Sequence, residues 1–464
     1  MDKFEAYLTV IDPLQVAAVG MVGVLAILFI PKRFLMPIVL MVLPAWQELG
    51  RMPDLFPLSA LAKATGVISY GVLILAAFFD KSPKRSVSGL VWVYPAMALI
   101  GAAYVLNTED RMLALVVQFQ WFLLTLAAIM VVRTITDEAS LLRVVKSLMI
   151  GVCLALLLPL SAVLLRPGDV KYGRFFPWGS NPNQIGVLFL IGMPFGLFLA
   201  LRARNLITRG YFVFSSAVAG VMGVLCASRS IVYPGVMLAG ILAIPMMKKA
   251  SVIAVAGILG LFAAGWLASV TEKTDFERLQ SLETGRVETA EEYVREVISQ
   301  RPIFGLMFSE GEMSRQAEEV GHHAHNAYLD QLYRYGLSLT APFLIMAGIS
   351  MLGAAIAWFH RRKLVNDTLF MTLLAAMMWV VYAHGFVNGS ILYPTYTWAF
   401  LHVMLSVFFI TLLFDRFSGR PGLVPGNAVS GIGASAPAPQ HWDYSEYADY
   451  GAEAAAEEPV EQSA

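Results

Sequence analysis

Charge and cysteine are both scarce in this sequence. Of 464 residues only 14% are charged, and two are cysteines, Cys153 and Cys226. A soluble domain carries about 25% charged residues, so this chain is not built like one. Both cysteines lie in apolar stretches, which excludes a disulfide framework and leaves buried small hydrophobes. There is no Cys-x-x-Cys, no zinc-ligand spacing and no Asp-x-Asp. Lys+Arg and Asp+Glu balance at 33 each, so bulk charge gives nucleic acid no foothold. The first residues carry Asp2, Lys3, Glu5 and Asp12 without a basic leader, so no cleaved signal peptide is expected. No internal repeat is visible.

Long apolar runs fill the space that charge leaves. The chain is 58% hydrophobic, with mean hydropathy +0.66. Runs able, or nearly able, to cross a bilayer fall at 14–30, 34–46, 60–79, 87–106, 112–132, 141–165, 185–201, 210–227, 231–247, 250–270, 339–358, 367–386 and 396–414. A crossing takes about 20 residues, and lipid offers the backbone no hydrogen-bond partner, so the spans are helices. The expectation is an all-α polytopic bundle of 12–13 transmembrane helices over residues 1–417. The 34–46 run holds Pro37 and Pro44 and reads as tilted or partly re-entrant. One large, helical, polar loop interrupts the bundle at 271–327, and a Gly/Ala/Pro-rich, then acidic, disordered tail occupies 418–464.

Basic residues set the orientation. One set of alternate loops holds Lys32, Arg33, Lys81, Lys84, Arg85, Arg133, Arg143, Lys146, Arg202, Arg204, Arg209, Lys248, Lys249, Arg361, Arg362, Lys363, Arg416 and Arg420, eighteen cations. The opposite short loops hold Lys3, Arg51, Arg111, Arg166, Lys171, Arg174 and Arg229, seven cations. The richer set faces the cytoplasm, which puts the tail inside and the 271–327 loop outside.

The outer side gathers the residues able to do chemistry. His325 and Asn326 open a stretch in which Leu329, Leu332 and Tyr333 follow at helical spacing, so an interfacial helix ending at Gly336 presents them in its first turn. Histidine titrates where a neutral-pH base must. His322 falls on the same face if the helix starts that early; a plain polar helix start is the alternative. His322, His323 and His325 could also hold zinc, but adjacent side chains diverge and no carboxylate completes a ligand spacing. Arg174, Arg229 and Arg286 are candidates for oxyanion recognition, since a guanidinium makes bidentate, charge-assisted bonds to phosphate. Snorkelling to headgroups is the competing reading for each, and the preferred one for Arg111 and Arg166. The Tyr172, Phe175, Phe176 and Trp178 cluster reads as an interfacial aromatic belt. His384 and His402, in apolar spans, read as satisfied polar groups of the bundle.

An ordered set of short motifs runs from about residue 140 to 415. It comprises Gly173-Arg174-Phe175 with Asn181-Pro182-Asn183, then Ser228-Arg229 and Gly285-Arg286. Arg301-Pro302-Ile303-Phe304-Gly305 follows, then His325-Asn326-Ala327-Tyr328-Leu329 and Gly336. In this the chain resembles the O-antigen ligase/polymerase family of bacterial inner-membrane proteins. After Phe304-Gly305 the sequence continues Leu306-Met307-Phe308-Ser309-Glu310, a departure from the family's Gly-rich turn.

The resemblance implies a fold like that of the C-type glycosyltransferases. It implies transfer of a glycan from a polyprenyl-diphosphate carrier such as undecaprenyl diphosphate, on the periplasmic side, without metal, nucleotide sugar or other cofactor. His325 would be the base on the acceptor hydroxyl. Arg174, Arg229 and Arg286 would hold the diphosphate, Arg286 also stabilising it as it leaves, with His322, Asn326 and Asn183 in support. The acceptor would be a growing glycan or lipid A-core, with membrane lipids and other polysaccharide-assembly proteins as partners. O-antigen or exopolysaccharide polymerase, O-antigen ligase and protein O-oligosaccharyltransferase all remain open. A transporter or flippase for lipid-linked glycans is the competing class; it calls for charged residues or broken helices at the bilayer midplane, in paired halves.

Overall fold

The computed structural model describes residues 13–107, 111–171, 174–226, 301–305, 326–386 and 396–418, with isolated positions within 234–242, 291–295 and at 394. The chain divides into Met1–Pro425 and Gly426–Ala464, and the second unit lies outside the described residues, as does nearly all of the expected tail.

The described chain is helical. In order, the helices are α1 (Pro13–Phe29), α2 (Lys32–Leu49), α3 (Leu58–Phe79), α4 (Val93–Tyr104), α5 (Arg111–Arg133), α6 (Glu138–Ala155) and α7 (Leu157–Leu165). After a two-residue antiparallel ladder come α8 (Pro182–Arg202), α9 (Leu206–Leu225), α10 (Ala327–Phe359), α11 (Arg361–Leu364), α12 (Thr368–Gly385) and α13 (Thr397–Phe417). The ladder pairs β1 (Val170–Lys171) with β2 (Arg174–Phe175), setting Lys171 opposite Arg174. Among the described residues eight helical stretches are long and apolar enough to cross a membrane, and two shorter apolar helices, Pro13–Phe29 and Gly89–Tyr104, accompany them. Of the expected spans, 231–247 falls mostly, and 250–270 wholly, outside the described residues, as does most of the 271–327 loop.

Proline explains two local outcomes. The 141–165 run is one apolar stretch whose helical ladder is interrupted at Leu156, between α6 and α7, while Leu156 itself keeps right-handed helical angles. Pro159 cannot donate to the carbonyl of Ala155 and its ring crowds it, which ends α6 there. In α2, Pro37 and Pro44 are absorbed within one 18-residue helix. Its face carrying Leu40, Leu43 and Pro44 is buried, and a Cβ on Gly151 of α6 would lie 2.5 Å from the Met41 carbonyl. Such close backbone approach at small residues is how helices associate where lipid removes the hydrophobic drive. Gly196 of α8 meets the α9 backbone at Phe212, and Gly353 of α10 meets Phe409 of α13, in the same way.

The helices differ in how much lipid they face. The α13 window is 94% buried, against 33% for α9, and α1 has no buried residue. Therefore α13 is the central post and α1 is peripheral. Phe370, Phe400, Phe408 and Trp398 fill the core around α13.

Loop contacts sort the bundle into two ends. At one end Arg85 pairs with Asp415, and the Arg85 amide donates to the Arg133 carbonyl. Glu138 accepts from the Asn366 and Asp367 amides at 2.9 and 2.8 Å, and Arg202 pairs with Asp367. Lys84 Nζ closes α3 by donating to the Ala77 and Asp80 carbonyls, both at 2.7 Å. Burial lowers its ammonium from the ordinary lysine value, against the opposing pull of Asp80. These contacts all join loops of the cation-rich set. The other end holds the turn after α2, the ladder, and the starts of α8 and α10.

Candidate functional site

The arginine that leads the motif set is fixed by its neighbours. Asn181 caps α8 by accepting the Asn183 amide at 2.9 Å, and Pro182 presets the first helical turn. This presents Asn183 toward the ladder, where Arg174 Nη2 donates to its Oδ1 at 2.6 Å. Arg174 Nε donates to the Cys226 carbonyl at 2.9 Å. One guanidinium thus joins β2, the first turn of α8 and the end of α9, two residues before Ser228-Arg229 in the sequence.

Around this clamp the outer loops brace one another. Trp178 adopts φ 51°, a left-handed conformation unusual for so bulky a residue. Its Nε1 donates to the Leu158 carbonyl at 3.1 Å and to Ser161 Oγ at 3.0 Å. Arg166 lies 5.2 Å from the Trp178 ring centroid and pairs with Asp54 at 2.5 Å, against which Gly179 packs. Arg166 is therefore a cross-brace between loops, not a side chain reserved for lipid headgroups. Phe175 is buried and Trp178 is pinned, so the aromatic belt expected here is in part a packing element.

A second group joins the loop motif to α10. Gly305 and Gly336 have φ +70° and +61° and lie back to back; a Cβ on Gly336 would be 2.4 Å from the Ile303 carbonyl. Leu337 N donates to the Pro302 carbonyl and Ser338 N to that of Ile303, both at 2.9 Å. The turn Arg301–Gly305 is thereby docked on α10 at Gly336, where the helix has a non-helical residue (ψ −160°). The expected end of the interfacial helix at Gly336 is this break, after which the chain re-enters helix at once. Tyr104 covers the dock, with its hydroxyl 2.6 Å from Ser338 Oγ and its ring beside Phe304 and Tyr335.

Asn326 has a different place from the one expected. It is the N-cap of α10, its Oδ1 accepting from Tyr328 N at 2.9 Å and Leu329 N at 3.1 Å. The helix begins at Ala327, so Asn326 caps it from just outside its first turn. An asparagine there satisfies two amides the helix cannot.

Three polar groups of this end lie deeper. Arg51 Nη1 donates to Glu48 at 3.0 and 3.2 Å, and its guanidinium lies 4.0 Å from the Tyr396 ring centroid and 4.9 Å from that of Trp398. His384, next to the last residue of α12, and His402, one and a half turns into α13, are fully buried. Among the described residues neither ring nitrogen of His402 has a hydrogen-bond partner; Tyr382 and Phe343 meet it edge-on, at 4.6 and 6.1 Å. The expectation of a satisfied polar group fails for His402.

Of the sequence-predicted site, Arg174 and Asn183 are brought together and Asn326 is placed as a cap. His325, His322, Arg229 and Arg286 lie outside the described residues. Among the described residues no group of three His, Cys, Asp or Glu is placed to hold a metal ion. Arg51 was not singled out from the sequence: its neighbours Gly50 and Met52 carry no motif, and the rings that cover it come from Tyr396, the cap of α13, and Trp398 within it. In comparisons with known proteins, the chain matches no family model and no curated protein.

Proposed function

We propose that the chain is a membrane glycosyltransferase that moves a glycan from a polyprenyl-diphosphate carrier to an acceptor hydroxyl at the motif-bearing end of the bundle. The observation that carries the reading is the Arg174 clamp. Two separate members of the ordered motif set, Gly173-Arg174 and Asn181-Pro182-Asn183, meet on one guanidinium. The same guanidinium also donates to Cys226, two residues before Ser228-Arg229 in the sequence. The dock of Arg301–Gly305 on Gly336 supports it, because it joins a turn of the polar loop to α10, the helix that His325 precedes in sequence.

In this reading His325 accepts the acceptor's hydroxyl proton as the oxygen attacks the anomeric carbon. The bond from that carbon to the diphosphate breaks, and the electron pair leaves with the diphosphate. Arg174, Arg229 and Arg286 neutralise the charge that develops on it. Positioned donors in a water-poor site act strongly on such a leaving group. The excess of cations at the opposite end assigns that end to the cytoplasm, so the reaction lies on the far side, the periplasm of a bacterial inner membrane. Polymerase, ligase and protein O-oligosaccharyltransferase differ only in acceptor.

The test uses purified protein in detergent with a polyprenyl-diphosphate-linked glycan and, separately, glycan, lipid A-core and peptide acceptors. The reading expects release of the diphosphate lipid coupled to one acceptor. A transporter would release none, and would move the donor across liposomes unchanged.

A further inference from the structure

Arg51 has half of its guanidinium committed and half open. Nη1 is taken by both oxygens of Glu48. Nε and Nη2 are buried, and among the described residues neither has a hydrogen-bond partner. These two N–H groups form the side-on fork of the guanidinium, the edge whose parallel donors match two oxygens of a phosphate or carboxylate. A charged donor edge shut away from water without an acceptor is costly, and the burial is close: the Arg51 side chain is 6% exposed and that of Glu48 is inaccessible. Tyr396 and Trp398 fix the guanidinium plane, and Trp398 Nε1 is a further buried donor without a partner among the described residues. Gln47 Oε1, an acceptor, is also unpaired and adds nothing to an anion's grip.

Position strengthens the case. Three residues beyond Arg51, Asp54 holds Arg166 and packs on Gly179, so the turn after α2 is tied to the loop that follows Arg174. The open fork therefore belongs to the motif-bearing end of the bundle.

We propose that the Nε–Nη2 edge of Arg51 is an oxyanion site that grips one phosphate group. Two lipids offer that chemistry there: the diphosphate of the carrier, which rests on the glycosyltransferase reading, and the headgroup of a retained phospholipid, which does not. A purely structural role, the Arg51–Glu48 pair bracing α2 against α13, makes the opposite prediction for Glu48. Removing the Glu48 charge weakens a brace, but it relieves repulsion on a bound phosphate and tightens binding.

The experiment uses the full chain in dodecyl maltoside, a phosphate-free detergent. Undecaprenyl diphosphate binding is titrated, and co-purified phospholipid is weighed by native mass spectrometry, for wild type, Arg51→Lys and Glu48→Gln. Lysine keeps the charge and loses the fork. Weakening of undecaprenyl diphosphate by roughly 10-fold or more in Arg51→Lys, with several-fold tightening in Glu48→Gln, supports the site with the carrier as ligand. Unchanged undecaprenyl diphosphate binding, with phospholipid lost in Arg51→Lys and enriched in Glu48→Gln, supports it with a headgroup as ligand. Indifference of both lipids to both substitutions overturns the proposal. If Arg51→Lys does not fold, Glu48→Gln decides alone: tightening or enrichment supports the site, and no change or weakening overturns it. Wild-type protein that binds no undecaprenyl diphosphate counts against the glycosyltransferase reading, and the phospholipid arm still decides the site.

Discussion

Replacing Gly336 by alanine strikes the junction between the turn Arg301–Gly305 and α10. At φ 61° and ψ −160° the residue occupies a region open essentially to glycine, and forcing another residue there costs about 1–3 kcal/mol. The new methyl would lie 2.4 Å from the Ile303 carbonyl and 2.5 Å from Gly305 N, an overlap worth about 1–3 kcal/mol more if the backbone must shift. The sum, about 2–6 kcal/mol, falls on a dock held by two backbone hydrogen bonds, Leu337 N to Pro302 and Ser338 N to Ile303. Even the lower figure corresponds to about a 30-fold change in the opening equilibrium. Native-state hydrogen exchange should therefore show the Leu337 and Ser338 amides losing at least that much protection, while the Phe370 and Phe400 amides in the core stay protected. On the glycosyltransferase proposal, glycan transfer should fall in parallel, because the freed turn belongs to the motif-bearing polar loop. Wild-type protection of the two amides in Gly336→Ala would refute the reasoning.

Other perturbations separate the roles of individual residues. Arg174→Lys, which keeps the charge but loses the planar fork that donates to Asn183 and Cys226, should weaken donor binding by about 10-fold, measured by titration of the carrier-linked glycan. Arg85→Ala strands a buried Asp415 and should cost about 3–5 kcal/mol in denaturant unfolding. Arg202→Ala, whose side chain is 36% exposed in its pair with Asp367, should cost about 1 kcal/mol or less. Asn326→Ala removes the cap of α10 and should cost about 0.5–2 kcal/mol, read as a lower melting temperature. Cys153 and Cys226, both buried, should resist maleimide in the folded protein and react on unfolding; modification of either in the native state would contradict the packing described.

The sequence carried the bundle well and the junctions poorly, and particular residues show why. Hydropathy finds a span because each apolar run stands alone, so among the described residues the long helices fall where the runs predict, from α1 on the 14–30 run to α13 on the 396–414 run. Proline is ambiguous in one dimension: Pro159 interrupts its helix, whereas Pro37 and Pro44 do not, since neighbours decide whether a lost backbone bond is tolerated. Asn183 was legible as a supporting residue because it lies in a short motif close to Arg174 in sequence; its hydrogen bond to that guanidinium was not. Asn326 was misplaced by one helical position, since a 3.6-residue pattern does not say which polar residue is the cap. Arg166 and Arg51 read only as outer cations; Asp54 and Trp178 for the one, and Tyr396 and Trp398 for the other, are pairings that arise only when distant segments pack. The same holds for Gly305 against Gly336.

The central claim is that His325 takes a proton while guanidinium groups hold the departing diphosphate. The most direct test is the single-turnover rate of diphosphate-lipid release from a lipid-linked glycan, for wild type and His325→Ala, at matched donor occupancy. The account predicts release by the wild-type protein and a rate at least about 100-fold lower in the variant, the usual contribution of a positioned base. Equal rates in the two proteins, or no release by wild type with any acceptor, would contradict it.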